Sequence, residues 1–567
     1  MTSELVETPA SAAAPEAASA RDDRMPPGIP FIVANEFAER FCYYGINSIL
    51  AVYLVEHLHF GEAHATRFSS LFQGGAYFFP LVGALVSDVF WGKFRTIMSF
   101  SLVYATGCAV VALVPSVWGL SVGLFLVALG TGGIKPCVST NVGDQFTSKN
   151  QHLIERAFNY FYMAINAGST ISIWFCPVLL QKWGPMPAFG MPGAMMFLAT
   201  FVFWLGRKRF AVVPPAGKAW LHDAGFMWLW QKTLRPVFVA VGVLKPSEAR
   251  ASAEGIRIIG KLAIVYLFVA VFWSLWNQSN GQTWTLQARS SLMDKNVAFG
   301  FTIQPAQIQD VNGPFILAMV PVFTFGIYPL WGRLTKVTPL RKIAAGFFIA
   351  ASSFLVVSSI EARIQAGQTV SVYWQVLAYG ILSAAEVLVS ITALEFSYKQ
   401  APLRMKSFVM ALFLLSSAVG SFLTAGVNDL MVQPLHASAV DVGAETWVTL
   451  DEVGGFVKGQ KIDFEKSNGV VVTQGGKDQP LEGTFLVAQI DEAGKRVQLM
   501  DVVERKPVAS TGRYDGSKSE VSTYKLVGPQ YFDFFAIMMS IVGLVFIVVA
   551  YFYKEKTHVR QDDGHPA

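Results

Sequence analysis

Apolar runs long enough to cross a bilayer recur along this chain, and nothing else in it limits the fold as tightly. A helix needs ~20 residues to span the hydrocarbon. Runs of that order lie near 30–56, 68–90, 95–115, 117–137, 157–181, 189–210, 258–279, 307–332, 339–360, 372–398, 404–428 and 530–553, about twelve in all. Of 567 residues, 53% are hydrophobic and 15% charged, where a soluble chain carries about 25% charged residues. The net charge of +5 does not mark a nucleic-acid binder, because the Lys and Arg sit in short clusters between the runs. Cys42, Cys108, Cys137 and Cys176 lie in or beside apolar segments without metal-ligand spacing, and read as small buried side chains. No cofactor or metal is expected.

The basic clusters orient the bundle. "GKFR" (92–95), "GRKRF" (206–210), "GRLTKVTPLRK" (332–342), "KQAPLRMK" (399–406) and "KEKTHVR" (554–560) share one side if both termini are cytoplasmic. The opposite loops, such as "VPSVWG" and "QKWGPMPAFG", are nearly free of Lys and Arg. The positive-inside rule then requires an even number of spans, which agrees with twelve.

Three regions stand apart. Residues 1–28 are Ala/Pro/Glu-rich with no basic or apolar leader region, and read as a disordered tail. Residues 212–257 are aromatic and basic but too interrupted to cross, which suggests a cytoplasmic linker with an interfacial helix. Residues 432–527 are soluble in composition. Their alternating Val, Phe and Leu, broken by "SNG", "GGKD" and "DEAGK", predict a small β domain of hairpins. Span parity places it outside the membrane, and it shows no catalytic motif and no identifiable partner. The chain thus divides into the tail, a six-helix half (29–211), the linker, spans 7–11 (258–431), the β domain, span 12 (528–556) and a cytoplasmic tail (557–567). Two sets of six spans joined by a basic linker form the major-facilitator architecture, an all-α 12-helix bundle in two halves with the site between them. "GALVSDVFWGKFRT" (83–96), with Asp88, Lys93 and Arg95 in a charged turn, resembles the gating loop of that superfamily.

Charge inside the runs marks the candidate site. In "PFIVANEFAERFCYYGINSILAVYLV" (30–55), Glu36, Glu39, Arg40, Tyr43 and Tyr44 fall on one helical face. A charged residue at a bilayer centre costs roughly 2.5–3.5 kcal/mol even on the lenient scale. The stripe is therefore either a self-paired staple or part of a site that faces protein or water. Further polar groups sit at membrane depth: Lys135 in "LGTGGIKPCVSTNVGDQF", Asn166 in "FNYFYMAINAGST", Asp310 and Asn312 in "AQIQDVNGPF", and Glu386 in "SAAEVLVSITALEFSYKQAP". Lys135 either snorkels to the interface or stands opposite Glu386 as its ion partner.

Together these segments resemble the proton-coupled oligopeptide transporter family. "EFAERFCYYG" has the form E-x-x-E-R-F-x-Y-Y-G, and "GTGGIKP…DQF", "FYMAINAGS" and "LEFSYKQAP…MKS" match its other signatures across the twelve spans. The resemblance implies symport of di- and tripeptides with protons, without a cofactor, in a bacterial inner membrane. It implies that Glu36, Glu39 and Arg40 respond to protons, and that Arg40 and Lys135 hold the peptide carboxylate. Asn166, Asn312 and Glu386 would hold its amine, while Tyr43, Tyr44, Tyr77, Trp273 and Ser417 would line the peptide site. A peptide is a zwitterion, so a cavity with cations at one end and a carboxylate at the other recognises any peptide by its termini, and aromatic walls accept varied side chains.

The departures matter as well. The family pattern places an Arg after Y-Y-G and an acid on span 7, where this chain has Asn47 and Asn277; Ser70 stands where some relatives carry a His. An amide pair can hydrogen-bond but cannot take up a proton at physiological pH. Coupling is therefore expected to rest on Glu36, Glu39 and Glu386, with Lys135 and Arg40 as counter-ions and Asp310 as a further participant. Asp88, Lys93, Asn47, Asn277 and Asp310 are the candidate gating residues. Two rival readings are a carrier of nitrate or another small solute, which a carboxylate in the cavity opposes, and a sensor or scaffold that binds a partner through its β domain. No nucleophile–base pair suggests an enzyme.

Overall fold

The structure, a computed structural model, describes residues 23–553 except 148, 212–213, 216–245, 401–405, 452, 467–468, 475–476 and 517–518. The interfacial helix expected before residue 246, and both expected tails apart from residues 23–28, lie outside the described residues.

Eleven helices among the described residues are long and apolar enough to cross a membrane: spans 2–12 at Glu62–Asp88, Lys93–Leu113, Val117–Asp144, Gln151–Trp183, Pro185–Lys208, Gly260–Gln287, Pro305–Leu334, Pro339–Gln365, Tyr373–Ser397, Leu412–Met431 and Pro529–Phe552. Span 1, Ile29–Glu56, is as long and differs in carrying three charged residues, Glu36, Glu39 and Arg40, within the run. The protein is a multi-pass membrane protein. Large side chains ring its outside, among them Trp118 at 82% and Phe325 at 81% exposure, as a surface facing lipid rather than water would show.

Two helices run past their expected ends. Span 4 continues to Asp144. The helix of span 7 begins at Pro246, inside the expected linker, because "PSEARASAEGIR" puts proline in the first turn and good helix formers after it. π-helical turns interrupt three spans, at Val86–Trp91, Val322–Ile327 and Val387–Ile391. Such turns favour functional positions, and the third directly follows Glu386.

The three largest hydrophobic cores among the described residues are separate. One gathers spans 1–6, around Ile46, Tyr104 and Phe189. A second gathers spans 7–12, around Phe272, Phe347 and Phe535. The third belongs to the β region, around Phe464, Phe485 and Val497. Here a seven-stranded sheet runs in the order Val432–Leu435, Glu520–Tyr524, Lys461–Glu465, Gly483–Asp491, Arg496–Asp501, Trp447–Leu450, Ala437–Asp441. All its pairs are antiparallel. A three-stranded sheet of Val470–Gln474, Lys477–Pro480 and Ala509–Gly512 stands beside it. With its own core, each six-helix half can move as a body without unpacking itself.

Candidate functional site

The stripe on span 1 is buried and internally paired. Glu36 and Glu39 are 1% and 0% exposed. Arg40 donates to Glu36 at 2.6 Å and lies 3.2 Å from Glu39. Thr131 of span 4 donates its hydroxyl to Glu39. One guanidinium thus serves two carboxylates, which a planar, multiply donating group does well.

Lys135 reaches the same place from span 4. An added Cβ at Gly132 would lie 2.3 Å from Phe79 Cβ, and one at Gly133 2.1 Å from the Phe100 ring. The small residues therefore let span 4 press against spans 2 and 3. Pro136 then removes a backbone donor from the helix. The Lys135 ammonium lies 4.7 Å from the Tyr43 ring centre and 4.3 Å from that of Tyr77. It makes no hydrogen bond among the described residues. It does not snorkel; it is a cation held between aromatic faces.

The acid on the other half has different partners from the one expected. Glu386 accepts from Trp276 Nε1 at 2.7 Å and Asn312 Nδ2 at 3.2 Å, not from Lys135. Ser383 donates to the Asn312 side-chain oxygen Oδ1 at 2.5 Å. Tyr43 and Tyr77 flank Lys135 on the first half, and Trp276 and Asn312 hold Glu386 on the second. Trp273 packs 5.3 Å from Trp276, and its indole N–H is unpartnered among the described residues. The buried Ser417 hydroxyl is also unpartnered there. Asn166 is not brought into this group: its amide donates to the Tyr162 carbonyl one turn back at 2.8 Å.

The expected amide pair does not form. Asn277 donates to Ser421 at 2.6 Å, whereas Asn47 joins a ladder that crosses between the halves. Ser70 donates to Gln282 and Gln282 to Gln73, each at 3.0 Å. Gln73 donates to Asn47 at 2.8 Å and to the Asn280 carbonyl at 3.0 Å, and Asn47 donates to that carbonyl at 3.2 Å. Gly281 makes this approach possible: its φ is +71°, and a Cβ there would lie 2.4 Å from the Asn47 carbonyl oxygen. Asp310 also crosses, accepting from Trp174 at 2.8 Å and Thr170 at 3.1 Å. Lys93 pairs with Asp144 at the end of span 4 rather than with Asp88.

Sequence reasoning missed Thr131, Trp276, Ser383, Gln73, Asn280 and Gln282. Gln73 carried a signal, being an amide inside a span, and Trp276 stands in the same "FWSLW" as Trp273. Among the described residues, the bonds across the seam cluster at the end bearing the β region, where Gln304 also donates to Gln181 at 2.6 Å and Arg289 to Glu56 at 2.9 Å.

A helical bundle in two halves, with Lys135 and Arg40 on one and Glu386 on the other, is a multi-pass membrane protein of the two-bundle transporter fold. More narrowly, the chain belongs to the POT family, whose model matches residues 94–448. It is 37% identical over 361 residues to peptide transporter family 1 of Drosophila melanogaster, covering 60% of this chain and 48% of that protein. It is 35% identical over 365 residues to human solute carrier family 15 member 2, covering 60% and 49%. The chain therefore spans about half the length of these relatives. Among solved structures, the POT family transporter PepTSo is 35% identical with a TM-score of 0.61, over 71% of this chain and 90% of that one. An auto-inhibited POT family peptide transporter is 27% identical with a TM-score of 0.67, over 96% and 99%.

Proposed function

We propose that the protein carries di- and tripeptides across a bacterial inner membrane together with protons, by alternating access, with both termini cytoplasmic and the β domain on the far face. The observation that carries this reading is the seam itself: on one half a buried Lys135, without a hydrogen-bond partner among the described residues, beside Arg40, and Glu386 on the other. A peptide carboxylate would bind Lys135, and its ammonium would replace the Trp276 and Asn312 donors at Glu386. The anion-carrier alternative would put its cargo beside that carboxylate, against Coulomb repulsion.

Coupling follows from the span 1 cluster. Arg40 is shared by Glu36 and Glu39, so a proton on either acid releases part of its hold and turns the guanidinium toward the cargo. The halves then rock about the seam. With bonds gathered at the β end, this arrangement is closed outward, and loading from outside requires the amide ladder and the Asp310 contacts to break. Proton and peptide drive one another provided both favour the same transition. One positive charge moving down ~100 mV supplies about 2.3 kcal/mol.

The test is dipeptide uptake into proteoliposomes, with the pH gradient and the membrane potential imposed separately and with nitrate and unlabelled dipeptide as competitors. Concentrative uptake displaced by dipeptide alone is the expected result. Indifference to dipeptides under every gradient would end the reading.

A further inference from the structure

Span 2 begins at Gly61, which as the N-cap residue has no side chain to satisfy the first helical amides. The β domain supplies the caps. Thr484 Oγ1 accepts from the Glu62 amide, and the Tyr524 hydroxyl from the Ala63 amide, both at 2.8 Å. Each hydroxyl in turn donates to one oxygen of the fully buried Asp463, both at 2.6 Å. A carboxylate thereby faces the positive end of a helix through two hydroxyls. Lys461 adds an ion pair to Glu62 at 2.6 Å, and His64 pairs with Glu465. Gly61 itself lies so close that a Cβ would sit 1.9 Å from Asp463 Oδ2.

The domain making these contacts is tied to the other half. It is inserted between spans 11 and 12, and it also bonds to the second half: Arg505 donates to the Ile364 carbonyl at 2.7 Å and the Ser291 amide to the Val503 carbonyl at 2.9 Å. A body anchored to one half thus caps a helix of the other, across the seam that opening at this end must part. We propose that the β domain is a latch on that gate, and that Glu62, Lys461, Asp463, Thr484 and Tyr524 are gating residues outside the cargo site. Rocking of the halves would pull span 2 off its caps and expose two amides, a lysine and a carboxylate. Loosening the latch favours the state open toward the β domain, and locking it holds that end shut. The inference rests on the alternating-access reading above.

Two measurements on the full chain in proteoliposomes test it. Spin labels at the exposed sites Val117→Cys and Gln368→Cys, at the β end of opposite halves, report the opening; the four native cysteines are buried. Lys461→Ala is expected to raise the longer-distance population roughly tenfold or more, the equilibrium equivalent of losing one charged hydrogen bond. Lys461→Arg, which keeps the charge opposite Glu62 and leaves Arg289 facing that acid, should hold the population near wild type, a result that mere loss of structure would not give. Separately, an ideal Cβ on Gly61 lies 3.1 Å from Asp463 Cβ, about 0.4 Å inside the shortest usual disulfide spacing, so a small outward shift lets the bond close. Gly61→Cys with Asp463→Cys, oxidised, should stop dipeptide exchange, and a reductant should restore it in the same preparation. A wild-type distance distribution in Lys461→Ala, or undiminished exchange with the bond closed, overturns the latch. The distance measurement needs no cargo, so its outcome is independent of whether the protein carries peptides.

Discussion

Lys135 stands 4.3 Å from the centre of the Tyr77 ring, with no hydrogen-bond partner among the described residues, while Arg40 nearby is shared by two carboxylates. Two cations in one pocket therefore differ in readiness. The arginine is held by the acids that take protons, and the lysine awaits an anion.

The first prediction follows from that asymmetry. Lys135→Gln keeps a donor but removes the charge, so a peptide carboxylate would lose a charged hydrogen bond, and affinity should fall about tenfold or more. Competition by dipeptide in a binding assay checks it. Unchanged affinity would mean that the carboxylate sits elsewhere.

Glu386 holds two neutral donors and no cation among the described residues, so its charge is available to the cargo amine or to a proton. Glu386→Gln can still accept from Trp276 but cannot titrate. Uptake against a gradient should collapse to equilibration, whereas exchange of peptide for peptide persists once the peptide concentration is raised about tenfold or more to offset the lost ion contact with its amine. Concentrative uptake by this variant would remove Glu386 from the coupling route.

Gln73 ties Asn47 and Asn280 to Gln282, in a buried ladder without a titratable member. Gln73→Leu leaves the Asn47 and Gln282 amides without their partner, a cost of about 1–3 kcal/mol to the state closed at the β end. The longer-distance population between the labels described above should rise, and equally at pH 5 and pH 8 once Glu36, Glu39 and Glu386 are all changed to Gln and Asp463 to Asn. A pH-dependent rise in that background would show that this gate titrates after all.

What the sequence discloses divides along physical lines. The spans were legible because lipid demands long apolar helices, and the β region because alternation with period two contrasts with them. Charges at membrane depth were legible because each is costly, which is how Glu36, Glu39, Arg40, Lys135 and Glu386 stood out. Their pairing was not, since Glu386 chose a tryptophan and an asparagine that carry no such cost. Nor was the ladder: Gln73 shows only as an amide inside a span, and its partner Gln282 is fixed only where the halves meet. The caps on span 2 were the least visible, because Thr484 and Tyr524 are ordinary strand residues 422 and 461 positions from the amides they satisfy.

Asp463 offers a pH test of that capped junction. Burial, opposed by the Thr484 and Tyr524 hydroxyls, pushes its carboxyl from the ordinary 3.8 to about 6. A folded-state pKa above the unfolded one means that protonation favours the folded, capped arrangement over the unfolded chain: the contribution is full below pH ~4 and is lost as pH rises through about 6. At about 1.4 kcal/mol per pH unit, that gap is worth roughly 3 kcal/mol. Protection of the Glu62 and Ala63 amides against hydrogen exchange, corrected for intrinsic rates, should therefore decline between pH 4.5 and pH 7. Asp463→Asn, neutral throughout, should flatten the profile. Glu62, His64, Lys461 and Glu465 also face this junction, so a slope that survives in Asp463→Asn would belong to them, and Asp463 would be a structural cap without a role in sensing pH.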